Sequence, residues 1–215
     1  MYNKEIINQT QEYVKATLKG ETTGHDWWHT YMVLKNAKTI QKHEGGDIYV
    51  IELGSLLHDI ADWKFNEEKA GSRTARLFLQ SKEVPESIIS HVCHIVDNVS
   101  FKGAQFENKI ATLEGKIVQD ADRLDAMGAR GIARARTYGE HRGKEIYNPD
   151  IAPVMHQTSE EYRNHVGTII NHFYEKLLLL KDRMNTKTAR KIAEGRHKFM
   201  ELYLEQFFKE WEGKA

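Results

Sequence analysis

The run Ile48-Tyr-Val-Ile-Glu-Leu-Gly-Ser-Leu-Leu57 is apolar on most sides, and it ends on His58-Asp59. A helix with that pattern belongs at the centre of a fold. An imidazole and a carboxylate then sit side by side where a buried segment stops. Burying two such groups is costly unless something pairs with them. A divalent cation is the simplest pairing agent, and it needs further ligands from other segments.

Those other segments read as helices. Ile6, Ile7, Tyr13, Val14 and Leu18 mark a first helix ending near Gly20. Val33, Ala37 and Ile40 give the next one an apolar face, with His29 one turn before Val33, and His43 to Asp47 break it. Further helices are expected over about 67–79, from Pro85 through Asp97, and over 110–124. Val99 to Phe106 reads as a loop, and Met127 to Gly143 is rich in glycine and arginine. Two long amphipathic segments, 158–184 and 186–211, close the chain. Strand alternation is hard to find. With 215 residues, no internal repeat and no linker, the expectation is one all-α domain.

Lys+Arg and Asp+Glu both number 31, so the formal net charge is zero. That argues against broad electrostatic capture of nucleic acid or an anionic membrane. The single cysteine, Cys93, rules out a disulfide within the chain and suits a reducing compartment. Cys93 lies on a mostly apolar helix and reads as structural rather than as a nucleophile. The N-terminus is polar, without the apolar stretch of a signal peptide, and the block Leu177 to Leu180 is too short to span a bilayer. A cytoplasmic protein with no membrane partner is expected.

A hairpin of the second and third helices would set His29 beside His58, and Asp122 sits among inward-facing residues of a later helix. Taken singly, each has an ordinary reading: His29 as a hydrogen-bonded core histidine, His58-Asp59 as a helix end, Asp122 as a partner of Arg123 or Arg130. Taken together, His29, His58, Asp59 and Asp122 fall in order on three helices. Two imidazoles and two carboxylates suit a six-coordinate ion: manganese, iron(II), cobalt or nickel before magnesium, which prefers oxygen alone. Zinc usually chooses fewer ligands.

The ordered set His29, His58-Asp59, Asp122 resembles the signature of the HD-domain phosphohydrolase superfamily. Gly24-His-Asp-Trp-Trp-His29, Leu56-Leu-His-Asp-Ile60, Ser100-Phe-Lys-Gly103, Asp120-Ala-Asp-Arg-Leu-Asp-Ala126 and Gly128-Ala-Arg-Gly-Ile-Ala-Arg134 look like a bacterial subfamily of small stand-alone members. The resemblance implies a single HD-domain helical bundle over 1–215. Its metal-site core would span about 20–140, with C-terminal helices over about 158–211 packed on it. It also implies one divalent metal held by those four residues, and a nucleoside triphosphate pyrophosphohydrolase. The family often has arginine three residues after the first metal histidine; here Met32 stands there.

Around the metal, the resemblance implies that Asp62 handles a proton or positions water, as a phosphate hydrolase requires. His91 and His94 share one helix face, and one-metal relatives use such histidines on phosphate; His94 is favoured, with an ordinary surface or packed role as the alternative for each. Asp125, one turn from Asp122, could support the site or bind Arg123 or Arg130. Lys64, Lys102, Arg130, Arg134 and Arg136 are the nearby cations in sequence; Lys102 is the favoured phosphate contact, and each arginine taken singly reads as a solvated helix face. His25 could orient the site. No phosphate-binding Gly-x-x-x-x-Gly-Lys loop and no dinucleotide-binding glycine motif exist.

The function expected is therefore a metal-dependent phosphohydrolase converting a (deoxy)nucleoside triphosphate to monophosphate and pyrophosphate. The alternatives are a nucleoside monophosphate phosphatase, another nucleotide phosphodiesterase, or a metal-containing nucleotide-sensing module. The Gly-Tyr-Pro motif of one phosphodiesterase branch is absent. The expected partner is a small-molecule nucleotide, with a homodimer left open.

Overall fold

The computed structural model describes residues 2–61, 69–99, 110–155 and 167–214. Among them are nine α-helices, one 3-10 segment and no strand. The chain is all-α. The described residues fall into two compact units, one of 2–61, 69–99 and 110–122, the other of 123–155 and 167–214.

In the first unit, α1 (Lys4–Thr17) starts where the Asn3 side chain accepts from the amides of Glu5 and Ile6. It buries Ile7, Thr10 and Val14 on one face. The helix α2 (Trp27–Glu44) is capped by Asp26, whose carboxylate accepts from the His29 amide at 2.9 Å. Gly45 ends it at φ 83°, a conformation that costs glycine little and other residues much. The central helix α3 (Ile48–Leu57) is capped by Asp47, and every residue from Tyr49 to Leu57 is buried. Each of its large aliphatic side chains contributes about 1.5–3 kcal/mol through that burial.

Two helices, α4 (Ala70–Ser81) and α5 (Glu86–Asn98), follow, with Pro85 directly before α5. Tyr13 stacks on Phe78 at 4.2 Å, joining α1 to α4. At Gly54 a Cβ would meet Ile95 at 3.3 Å and Val118 at 3.5 Å, so α3 lies closely against α5 and α6 (Leu113–Asp125). Sequence periodicity places the start of α6 at Ile110, but the helix begins three residues later. Thr112 accounts for this, because its hydroxyl accepts from the Gly115 amide at 3.2 Å as an N-cap does.

The second unit holds α7 (Gly128–His141), α8 (Ile169–Glu175), a 3-10 segment (Leu177–Arg183) and α9 (Lys187–Trp211). The glycine- and arginine-rich stretch after Met127 is thus helical. Its glycines serve close approach: a Cβ at Gly139 would sit 2.4 Å from Ile169. Packing overrides weak helix propensity there. Of the helix expected over 158–184, residues 158–166 lie outside the described residues, and over 167–184 it is not continuous. Thr168 caps a new start by accepting from the Asn171 amide at 3.0 Å, and the chain leaves helical geometry at Lys176. By contrast, α9 runs as the periodicity requires, with Thr186 as its cap. Among the described residues no helix is long and apolar enough to cross a membrane.

Candidate metal centre

The first unit brings the four sequence-selected residues together. The Nε2 atoms of His29 and His58 lie 3.1 Å apart. Asp59 Oδ2 is 3.2 Å from His29 Nε2 and 3.3 Å from His58 Nε2. Asp122 Oδ1 is 3.4 Å from His29 Nε2 and 4.0 Å from His58 Nε2. The two histidines and Asp59 are buried, and the Asp122 side chain is 26% exposed, so the cluster opens on that side.

Local structure explains the convergence. His29 stands in the first turn of α2, where Asp26 holds its amide. His58 and Asp59 stand where α3 ends, directly after Leu57. Asp122 is fixed through its neighbour, since the Asn36 side chain on α2 donates to the Ala121 carbonyl at 3.1 Å. The other end of α6 is tied down as Glu114 accepts from the Asp47 amide at 2.9 Å. Gln119 completes the placement by donating to the carbonyls of Asn98 and Val99.

The electrostatics of the cluster favour positive charge within it. Burial opposes a charged His58 ring, but the carboxylates of Asp59 and Asp122 and the Ser55 carbonyl outweigh it and raise the ring to about 9. Burial likewise pushes the Asp59 carboxyl upward, but the rings of His58 and His25 outweigh that and hold it well below its ordinary value. Two ring nitrogens and two carboxylate oxygens aimed at one another fit a divalent ion that accepts both nitrogen and oxygen.

His25 enters the same cluster. Its Nδ1 lies 2.7 Å from Asp59 Oδ2, with the side chain 41% exposed. The donor atoms of His25, His29 and Asp59 form one group that could hold a metal, and those of His29, His58 and Asp122 a second. The sequence signal for His25 was its place one helical turn before His29, but its contact is with Asp59. The Ser55 carbonyl, by contrast, carries no side-chain signal.

The remaining candidates are placed as follows. Asp62, Lys64 and Lys102 lie outside the described residues. His94 is exposed on α5, with its Nδ1 3.4 Å from the Asn98 side-chain nitrogen. It is not among the residues that converge on the centre. His91 faces Thr112 Oγ1 at 2.9 Å and Glu114 at 3.7 Å, which ties α5 to the start of α6. In the second unit, Asp125 pairs with Arg130 and Arg134, while Arg136 pairs with Glu140. Cys93 is buried and donates to the Ser72 carbonyl at 3.3 Å, as befits a packed residue.

Comparison with known proteins bears on this centre. The family model for the HD domain matches residues 27–127, which include all four clustered residues. A Lactobacillus plantarum protein of known crystal structure has a TM-score of 0.89 at 37% identity, over 99% of this chain and 100% of that one. A Bacillus thuringiensis HD-superfamily hydrolase is 43% identical with a TM-score of 0.75, over 97% of each chain. The Bacillus subtilis protein YpgQ is 34% identical over 215 residues, covering 95% of this chain and 93% of its own. The structure of YpgQ in complex with ADP has a TM-score of 0.76, covering 97% of this chain and 100% of that one.

Proposed function

The chain belongs to the HD domain family of hydrolases, and from that premise we propose that it is a metal-dependent phosphohydrolase of nucleotides. The reaction proposed is conversion of a (deoxy)nucleoside triphosphate to its monophosphate and pyrophosphate, as the resemblance to the small stand-alone HD proteins implies. The observation that carries the reading is the convergence of His29, His58, Asp59 and Asp122, with all the distances quoted above at 4.0 Å or less. The ADP held by YpgQ supports a nucleotide as the ligand class.

In this reading those four residues hold one divalent ion, manganese first, then iron(II), cobalt or nickel, with magnesium and zinc after them. When bound, such an ion supplies Lewis acidity toward water and a phosphoryl oxygen. The protein does the rest. His25 fixes the Asp59 carboxylate through its 2.7 Å contact. The buried walls of α2 and α3 keep bulk solvent from one side of the ligands, which strengthens every charge interaction there. Asp62 takes the role of proton handler, and His94 and Lys102 that of phosphate contacts. Water attacks the α-phosphorus in line, the bond from that phosphorus to the α–β bridging oxygen breaks, Asp62 takes the proton that water loses, and pyrophosphate leaves.

The test is product analysis. The full chain is incubated with manganese and a panel of nucleoside triphosphates, and pyrophosphate and inorganic phosphate are assayed separately. Pyrophosphate, lost in Asp59→Ala, is the expected result. Phosphate alone would move the reading to a phosphatase. Neither product from metal-loaded, folded protein would sink the enzyme reading.

A further inference from the structure

Asp125 is fully buried at the end of α6, in the second unit. Its Oδ1 lies 3.0 Å from Arg130 Nε, and its Oδ2 lies 3.2 Å from Arg134 Nη1. One carboxylate thus grips two guanidinium groups that stand one turn apart on α7. A buried carboxylate is an expensive way merely to join two helices, because a well-packed apolar pair of similar volume does so at no desolvation cost. What it adds is orientation.

The backbone is built to allow this grip. Gly128 has φ 69°, and a Cβ at Gly131 would sit 2.3 Å from the Ala126 carbonyl oxygen. These two glycines let α7 begin almost as soon as α6 ends, which turns Arg130 and Arg134 back onto Asp125. A third guanidinium joins them. Arg196 donates to the Leu124 carbonyl, and its stem packs against Gly128.

Charge placement at the start of α7 is contrary to what a helix prefers. Its first turn has no acidic residue and contains Arg130, and Met127 before it offers no side-chain cap. A helix N-terminus is the positive end of the macrodipole and favours an anion, not a cation. Arg130 also binds Asp125 through Nε only, so its terminal Nη1 and Nη2 are outside that bond, and its side chain is 46% exposed. A guanidinium held in this way presents a planar pair of N–H donors that matches two phosphate oxygens.

We propose that Arg130, oriented by Asp125 and seconded by Arg134 at the start of α7, forms a phosphate-binding site. This site rests on the guanidinium fork and not on the metal cluster, so it stands apart from the fate of the phosphohydrolase reading. The phosphate could be a free anion or part of a nucleotide, and both present the same oxygens.

The test uses the full chain in chelator, so that no metal takes part. Pyrophosphate and adenosine triphosphate are titrated calorimetrically into wild type, Arg130→Gln and Arg130→Lys, with adenosine as the phosphate-free control. Arg130 is half-exposed, so the melting temperature checks that each variant is folded. The expected result is that Arg130→Gln weakens phosphate binding by about tenfold or more, as loss of charged hydrogen bonds implies. Arg130→Lys keeps the charge but loses the fork, and falls between. Weakened pyrophosphate binding assigns the site to free phosphate anions; weakened triphosphate binding alone assigns it to the phosphate chain of a nucleotide. Equal binding of both ligands by wild type and Arg130→Gln overturns the site, as does a wild type that binds neither.

Discussion

The Nδ1 atom of His58 lies 2.8 Å from the Ser55 carbonyl, one turn earlier on α3. A carbonyl only accepts, so Nδ1 carries the hydrogen and points it back along the helix. The other ring nitrogen, Nε2, is thereby turned toward His29, Asp59 and Asp122. This outer hydrogen bond fixes the ring before any ion arrives.

The first prediction concerns the ion itself. Asp122 is the least buried of the four clustered residues, so Asp122→Asn should leave the fold standing while removing a charged oxygen. Manganese affinity should fall by more than the roughly 10–100-fold that loss of an outer partner costs. Metal content after dialysis, read by elemental analysis, checks this. Unchanged content in Asp122→Asn would remove Asp122 from the metal set.

His25 offers a contrast. Its Nδ1 lies 2.7 Å from Asp59 Oδ2, and it is outside the group of His29, His58 and Asp122. His25→Gln should therefore keep the metal stoichiometry while lowering kcat or metal affinity by about 10–100-fold. A loss of metal as complete as in Asp122→Asn would instead make His25 a ligand.

Two glycines separate a steric demand from mere composition. A Cβ at Gly131 would lie 2.3 Å from a backbone oxygen, which cannot swing aside as a side chain does. Gly131→Ala should destabilise the chain by about 1–3 kcal/mol or more. Gly195, inside α9, has nothing within 4 Å of its added Cβ. Gly195→Ala should stabilise by about 0.5–1 kcal/mol, because alanine loses less backbone freedom in a helix. Urea titration of both variants reads the opposite signs.

The fourth prediction is a pH dependence. Burial, with the charges of Lys176 and Lys144 adding to it, lowers His172 in α8 from 6.5 to about 3. In the unfolded chain the ring binds a proton below its ordinary value, and in the folded chain it does not until about 3. The unfolded state therefore takes up more protons across that window, and stability falls as pH drops from 6.5 toward 3. Denaturation midpoints followed through that range should show the loss, and His172→Gln should flatten it. The same slope in the variant would assign the acid sensitivity elsewhere.

Most of the helices and the four residues that cluster were legible because their signals are local. The apolar run from Ile48 to Leu57 can be accommodated only at a centre, and every residue from Tyr49 onward is buried. His29, His58, Asp59 and Asp122 are residue types whose chemistry declares itself, and their order along the chain was enough to select them. Caps and breaks were less visible. Thr112 and Thr168 set the starts of α6 and α8 by one hydroxyl hydrogen bond each, a competition that apolar periodicity does not register.

What only the tertiary structure decided is which partner each polar group takes. Arg130 could have met Asp122 by sequence, but its Nε is on Asp125. His91 could have faced phosphate, but it meets Thr112 and Glu114. His25 is turned to Asp59, and the Ser55 carbonyl holds His58. Sequence by itself determined most of the helices, the buried centre and the chemical character of the site, because hydrophobic burial follows residue type and period. Partner choice depends on ångström-scale distances and angles between segments far apart in the chain, and these exist only once the helices have packed.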